Sequence, residues 1–232
     1  MILRQFLSGG FTLETVIISL MAIIFILLVT LPMHEWAHAW SAYKLGDPTA
    51  KNMGRLTLNP MSHIDYVGAF MLLFVGFGWA KPVPVNQRNF ANPKRDMAIC
   101  AAAGPASNFI FAYVLMLILN LTIFFTARFA ITAIFTVWLV IFLYLAIQIN
   151  IVLGLFNLIP FPPLDGSRIL FAFLPNRLYY KAQQLERYSF FILPILIILG
   201  FTSGLIDLII EPIRYFISFI AFGPLLAPGF IS

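Results

Sequence analysis

The sequence predicts an all-α polytopic membrane protein with five to six membrane helices, a re-entrant segment and short β-like strands in its loops. Composition and the spacing of apolar runs both lead to this fold class. Of the 232 residues, 61% are hydrophobic and 10% are charged, and the mean hydropathy is +0.95. Soluble domains are about a quarter charged. This chain therefore has too little polar surface to coat a water-soluble body.

The first apolar run predicts one helix over residues 12–43. It is apolar from Val16 through Leu31, and a turn containing Gly46 and Pro48 ends it. The run is long for the core of a signal peptide and follows a single arginine. The pattern therefore favours a retained membrane helix over a cleaved signal.

The next apolar stretch, residues 66–79, is interrupted by three glycines. It is flanked by loops at 44–63 and 81–95, both of which carry Lys and Arg. The positive-inside rule puts both loops in the cytoplasm, so 66–79 is predicted to be re-entrant. The first of these loops has room for a short strand at Arg55–Leu58.

Further apolar segments complete the predicted topology. They cover residues 97–125, 131–158, 189–209 and 215–231. The last is either a span or an interfacial helix, because glycines and prolines break it. The same charge rule makes the first helix and the 131–158 helix parallel, so both end near the cytoplasmic face.

The sequence motif His34-Glu35-x-x-His38 lies in the C-terminal part of the first predicted helix. Residues four apart lie one turn apart on the same helix face, so the two imidazoles can bind one zinc ion. The intervening Glu35 can then take a proton from a water molecule at the metal. The alternative is a hydrogen-bonded histidine pair that lines a proton or ion path. Ionisable groups inside membrane helices are costly and seldom idle.

A catalytic zinc site needs a third protein ligand and an open position. Asp165 is the candidate, because it follows the 131–158 helix at the depth predicted for His34 and His38. A turn or helix-cap aspartate is the alternative. The remaining histidine, His63, lies in a loop, where it is either a solvated loop histidine or local cap, or a group near the metal or substrate.

Several motifs together resemble the site-2 protease family of intramembrane zinc metalloproteases, in its minimal form without PDZ or CBS domains. The resemblance covers the first helix through about residue 188. The motifs are His34-Glu35-x-x-His38, Leu58-Asn59-Pro60 with His63-Ile64-Asp65, Gly78-Trp79-Ala80-Lys81-Pro82-Val83-Pro84-Val85, Gly104-Pro105-x-x-Asn108, and Asn157-x-x-Pro160-x-Pro162-Pro163-Leu164-Asp165-Gly166.

The resemblance implies a Zn²⁺ enzyme that cuts a peptide bond in or near a transmembrane helix of a membrane-protein substrate. It implies Asp165 as the third ligand and one membrane-embedded domain over 1–232, with a catalytic core at about 12–165 and C-terminal helices at about 189–231. Asn108 and Asn157 match positions near the family's active site. Either amide orients substrate or simply bonds neighbouring helices.

The predicted location is the cell membrane, multi-pass, with the active site toward the cytoplasm and lipid as the surrounding partner. The basic residues sit between apolar runs and no aromatic platform accompanies them, so no nucleic-acid partner is expected. Two alternatives stay open: a zinc protease that uses Glu186 or Glu211 as third ligand, and a transporter or inactive relative.

The residues 79–86 offer an extended edge for an unwound peptide.

Overall fold

This computed structural model describes residues 12–75, 78–129, 134–179 and 181. The predicted helix at 189–209 and the tail at 215–231 lie outside the described residues. The described part is predominantly helical. Its helices are α1 (Leu13–Phe25), α2 (Leu31–Lys44), α3 (Thr49–Asn52), α4 (Tyr66–Phe74), α5 (Pro93–Phe129), α6 (Ile134–Leu158) and α7 (Asp165–Ala172), with a π-helical stretch at Ile26–Thr30 and 3₁₀ turns at Pro60–Ser62 and Gln87–Asn89.

Helices α1 and α2 are joined by the π-helical stretch Ile26–Thr30 into one continuous rod. Pro32 follows this stretch at the start of α2 and has no N–H to donate. The regular α-helical hydrogen-bond pattern would therefore be interrupted at Pro32 even without the π-helical stretch. The rod ends at Lys44, and Gly46 supplies the left-handed backbone of the turn, with φ of 106°.

Three helices in the described part of the chain are long and apolar enough to cross a membrane. They cover Val16–Lys44, Pro93–Phe129 and Ile134–Leu158. The second extends beyond its predicted limits of 97–125 at both ends. The third is described from Ile134, because residues 130–133 lie outside the described residues. The chain is thus a membrane protein with at least these candidate spans.

The predicted re-entrant segment contains α4, a helix of nine residues. At about 1.5 Å per residue it is roughly 14 Å long, about half the ~30 Å hydrocarbon core. The Asp65 carboxylate caps it by accepting a 2.8 Å hydrogen bond from the Gly68 N–H. Gly68 also packs directly on the Trp79 backbone, where a Cβ atom would collide. The two ends of the segment therefore lie together.

No β-strand forms in the described residues, so the prediction of a strand at Arg55–Leu58 is wrong. One isolated antiparallel bridge joins Ile64 and Ala80. The backbone N–H of Arg55 instead closes a turn onto the Ala50 carbonyl at 2.8 Å. Its guanidinium donates to the Lys81 carbonyl at 2.6 Å. A side chain and one backbone bridge, not a paired strand, thus join these two loops.

Helix α5 is the centre of the described fold, because it packs on α2, α6 and α7. Its apolar half meets α6 and α1 around the fully buried Leu119 and Ile147. Phe25 of α1 joins this core, edge-on to Phe142 and stacked on Phe111. The other half of α5 passes beside the His34-Glu35-x-x-His38 motif of α2, where the polar residues collect.

Candidate metal centre

The structure brings His34, His38 and Asp165 together in one buried cluster. The Nε2 atoms of the two histidines are 3.0 Å apart. Asp165 Oδ2 lies 3.2 Å from Nε2 of His34 and 3.3 Å from Nε2 of His38. Asp165 is the first residue of α7, directly after the turn that ends α6. The three residues predicted to bind zinc therefore lie close enough to share one metal ion.

The outer nitrogen of each ring is held by a fixed acceptor. His34 Nδ1 is 2.6 Å from the Asn108 amide oxygen, and His38 Nδ1 is 2.8 Å from the Cys100 carbonyl oxygen. Oxygen acceptors require a proton on each Nδ1, which in a neutral imidazole leaves a lone pair on Nε2. Both lone pairs are directed into the cluster.

The cluster fits a divalent cation. The two Nε2 lone pairs face Asp165 Oδ2, a buried atom with no hydrogen-bond donor in the described structure. Three facing acceptors at this range repel one another unless a cation lies between them. Zinc ligands at 2.0–2.2 Å in tetrahedral geometry are roughly 3.3 Å apart, close to the separations seen here. The donor set, two imidazoles and a carboxylate, also suits zinc.

The carboxylate of Asp165 is favoured in its ionised form. Burial raises the pKa of Asp165, but protonated His38 and His34 beside it would lower that pKa well below its usual range. With both imidazoles neutral, as metal binding requires, a bound cation would supply this positive charge instead. An ionised carboxylate is the form that binds metal.

Gly104 allows α5 to approach the cluster. A Cβ atom at this position would collide with the His38 and His34 rings. The glycine of the Gly104-Pro105 motif is therefore a close-contact position between helices, and it lets the α5 backbone reach His38. This reason for the glycine is not visible in the sequence.

Glu35 contacts the loop at 79–86. Its Oε2 accepts a 3.0 Å hydrogen bond from the Val83 N–H. Glu35, both histidines and Asp165 line one cavity of about 300 Å³, which is otherwise mostly apolar. A water molecule and a peptide bond can therefore meet the carboxylate and the cluster in the same space.

The other three predicted site residues occupy three different environments. Asn157 lines the cavity, and its amide N–H donates to the Leu153 carbonyl at 3.0 Å. Asn108 is fully buried behind His34 and faces that ring. His63 is 1% exposed and donates from Nε2 to the Thr57 carbonyl at 2.8 Å. It is thus a buried loop histidine near Lys81, not a solvated one, and it is also the C-cap residue of the 3₁₀ turn Pro60–Ser62.

Asp47 was not singled out from the sequence, yet it fixes the loop that reaches Glu35. Its buried carboxylate accepts hydrogen bonds from the Asn86 N–H and the Asn89 amide, each at 2.7 Å, and from Thr49. Burial would raise the pKa of Asp47, but the bonds from Thr49, Asn89 and Asn86 lower it below its usual value. The signal in the sequence was an acid directly after a helix-ending glycine.

Comparison with known proteins decides the family. The profile of Peptidase family M50 matches residues 22–141 and 123–201. The chain belongs to this family, that of the site-2 proteases. "Putative zinc metalloprotease YwhC" of Bacillus subtilis (strain 168) is 44% identical over 172 residues, covering 74% of this chain and 78% of the relative.

A second relative is more distant. "Putative zinc metalloprotease Rip2" of Mycolicibacterium smegmatis (strain ATCC 700084 / mc(2)155) is 29% identical over 176 residues, covering 74% of this chain and 64% of the relative. No solved structure gave a significant match. The M50 chain described here is thus a zinc metalloprotease, and the resemblance inferred from the motifs is confirmed.

Proposed function

We propose that this M50 chain is an intramembrane endopeptidase that hydrolyses a peptide bond in or near a transmembrane helix of a membrane-protein substrate, in regulated intramembrane proteolysis. The observation that carries the proposal is the position of the cluster at the ends of apolar helices. His34 and His38 belong to the candidate span Val16–Lys44, and Asp165 follows the span Ile134–Leu158. A substrate has to reach this cavity at the edge of the membrane-embedded body.

The metal ligands in this proposal are His34, His38 and Asp165. When bound, zinc would polarise the scissile carbonyl and increase the acidity of the attacking water. The polypeptide supplies the fixed geometry: two imidazoles from one helix turn, each held at Nδ1, and one carboxylate from the start of α7.

Glu35 is the general base in this proposal. Its Oε atoms accept a proton from the attacking water and then deliver it to the nitrogen of the departing peptide segment. The Val83 N–H holds one carboxylate oxygen at 3.0 Å. This bond leaves the other oxygen for the water, and it aligns the carboxylate within the cavity.

The substrate would lie as an extended peptide beside residues 79–86. Ala80, Pro82, Val83 and Val85 line the cavity, so the backbone of this stretch is accessible from the reacting centre. The adjacent segment 66–79 acts as the re-entrant element, since its ends meet at Gly68 and Trp79. Proteases need an unwound chain, and edge pairing is a common way to hold one.

The amides and His63 have supporting roles in this proposal. Asn157 lines the cavity and orients the peptide, whereas Asn108 positions His34. His63 supports the substrate-binding stretch, because its carbonyl accepts a 2.8 Å bond from the Lys81 N–H. All three roles act on geometry, not on the transferred proton.

The proposed location is the cell membrane, with the metal cluster toward the cytoplasm. Lys44, Lys51, Lys81 and Arg88 all lie in or beside the loops at the cluster end of the spans, as the positive-inside rule requires of a cytoplasmic face. Large apolar side chains exposed along α5 and α6, such as Phe124, suit lipid contact. The whole chain, 1–232, acts as one membrane-embedded protease domain.

The substitution Glu35→Gln tests the proposed function. We expect cleavage of a membrane-protein substrate to fall by about 10²–10⁴-fold, because general-base catalysis is lost, while zinc stays bound to the unchanged ligands. Zinc per chain is measured by atomic emission, and uncut precursors are sought by comparing membrane proteomes. Glu14→Gln, which changes an exposed acid on α1, is the matched control. Full activity in Glu35→Gln would refute the assignment.

A further inference from the structure

A line of buried polar side chains continues behind the metal cluster into the apolar interior. The Asn108 amide nitrogen donates to the Asn150 amide oxygen at 3.1 Å. The Asn150 amide nitrogen donates to the Ala146 carbonyl at 2.8 Å and lies 3.4 Å from the Thr30 hydroxyl. Asn108, Asn150 and Thr30 are 0–1% exposed. Asn150 lies in a mostly apolar stretch of α6 that also carries Gln148, and the proposed catalytic steps do not use Asn150.

The direction of every bond in this line is determined by one peptide carbonyl. The Ala146 oxygen can only accept, so it faces the NH₂ group of Asn150, and the oxygen of Asn150 faces Asn108. Asn108 must then present its own oxygen to His34 Nδ1. The Ala146 carbonyl therefore determines, through Asn150 and Asn108, that the His34 proton is on Nδ1 and the lone pair is on Nε2.

We propose that Asn150 is a positioning residue that, through Asn108, selects the tautomer of His34 able to bind metal. The inference rests on the proposed zinc ligands and deepens that assignment. An amide has two similar ends, and without a partner on its NH₂ group Asn108 can rotate by half a turn. It would then offer a donor to His34 Nδ1.

A donor at Nδ1 favours the opposite tautomer of His34. The ring proton then resides on Nε2, and the atom that faces His38 and Asp165 no longer has a lone pair for a metal. The groups behind metal-bound histidines are known to fix ring tautomer and orientation in this way, and their loss typically lowers metal affinity by about 10–100-fold. Asn150 acts one bond further out, so we expect an effect at the lower end of this range.

A purely structural role for Asn150 would affect the stability of the fold and not specifically the affinity for metal. Amides in membrane interiors also bond helices together, and Asn150 of α6 does contact Asn108 of α5. Loss of such a contact would destabilise the fold with or without metal. A tautomer role instead changes metal affinity, and it depends on Asn108 being an amide that can rotate.

The first experiment measures zinc affinity of the full chain in detergent micelles by competition with a chromophoric chelator. We expect Asn150→Leu to weaken binding by about tenfold and Asn108→Leu by about 10–100-fold. The double variant should match Asn108→Leu alone, since Asn150 acts through Asn108. Gln148→Leu, which removes a partly buried amide two residues away on the same helix, should bind like the parent.

The second experiment is a rescue. A carboxylate has no donor end, so Asn108→Asp accepts from His34 Nδ1 whichever way it rotates. We expect Asn108→Asp combined with Asn150→Leu to regain most of the zinc affinity lost in Asn150→Leu. A structural role predicts no such recovery. Asn150→Ala replaces Asn150→Leu if leucine prevents folding, with the same expectations.

Two results would overturn the inference. One is a folded Asn150→Leu or Asn150→Ala variant with parental zinc affinity; the other is a weakened variant that Asn108→Asp does not rescue. Both leave the proposed function intact, because the parent still binds zinc. A parent chain that fails to bind zinc at His34, His38 and Asp165 would instead contradict the proposed metal site itself.

Discussion

The two sides of helix α2 are supported in different ways. On one side, His34 and His38 face helices α5 and α7, and their Nδ1 atoms bond to Asn108 and to the Cys100 carbonyl of α5. On the other side, Glu35 faces a loop and bonds to one backbone N–H, that of Val83. The metal ligands are thus built on rigid helices, and the proposed base is aligned by an extended chain.

Because the two sides have different supports, metal binding and peptide hydrolysis should respond to different substitutions. Helix-borne ligands hold their geometry more firmly than loop-borne groups. The 79–86 loop is anchored beside Glu35 through the Asp47 carboxylate at one end and the His63 carbonyl at the other. Changes on the helix side should therefore remove zinc, and changes on the loop side should slow cleavage while zinc stays bound.

The largest effect is expected from Asp165→Ala. Loss of the carboxylate leaves two imidazoles, too few protein ligands for a catalytic zinc site. Zinc per chain, measured by atomic emission after dialysis, should fall to background, and cleavage should fall with it. Unchanged zinc content would break the comparison and would favour Glu186 or Glu211 as the third ligand.

A smaller effect, confined to the loop side, is expected from Val83→Pro. Proline removes the N–H that bonds to Glu35 and leaves the zinc ligands untouched. We expect cleavage to slow by about tenfold, the scale of one lost charge-assisted hydrogen bond of about 1.5 kcal/mol, with zinc content unchanged. Val83→Ala keeps the N–H and serves as the control. Equal rates in the proline and alanine variants would show that the bond does not align Glu35.

The smallest effect on cleavage is expected from Asp47→Asn, which weakens the loop anchor at a distance from Glu35. Ionised Asp47 accepts several hydrogen bonds, and we expect its replacement to lower the free energy of unfolding by about 1–3 kcal/mol at pH 7. The stability of both proteins is measured by thermal unfolding in detergent micelles, and their zinc content is measured as a control. Parental stability at pH 7 would show that the anchor contributes nothing.

The Asp47 contribution also has a defined pH dependence. The folded-state pKa of Asp47 lies below its ordinary value, so its stabilisation is present above the unfolded pKa of about 3.9 and is lost as the pH falls through the lower folded pKa. The gap between parent and Asp47→Asn should therefore be largest near neutral pH and should close in acid. A gap that widens as the pH falls would contradict this assignment.

The sequence predicted the residues whose chemistry shows in their type and spacing. The His34 and His38 pair needs only helical periodicity, and Asp165 was selected by charge placement. The supports were not predictable, because they depend on contacts far apart in the chain: Asn150 meets Asn108 from another helix, and the Val83 contact with Glu35 uses backbone only. An amide within an apolar span was still a usable signal at Asn150.

The loop at 44–63 shows why its strand was predicted wrongly. Alternation of polar and apolar residues suits a strand, but a strand needs a neighbour with matching free backbone groups. The stretch 79–85 carries prolines at 82 and 84, which cannot donate. The contact between the loops is therefore made by the Arg55 guanidinium and one bridge at Ile64.

The π-helical stretch Ile26–Thr30 sets the angular phase of the first span. In a regular α-helix Phe25 and His34, nine positions apart, would point roughly 180° away from each other at about 100° per residue. A single π turn acts as one inserted residue and reduces the angle to roughly 80°. Phe25 can thereby join the core of α5 and α6 while His34 faces Asn108 of the same α5. The π-helical turn therefore rotates α2 relative to α1, so that α1 packs in the apolar core while α2 presents its histidines to the metal cluster.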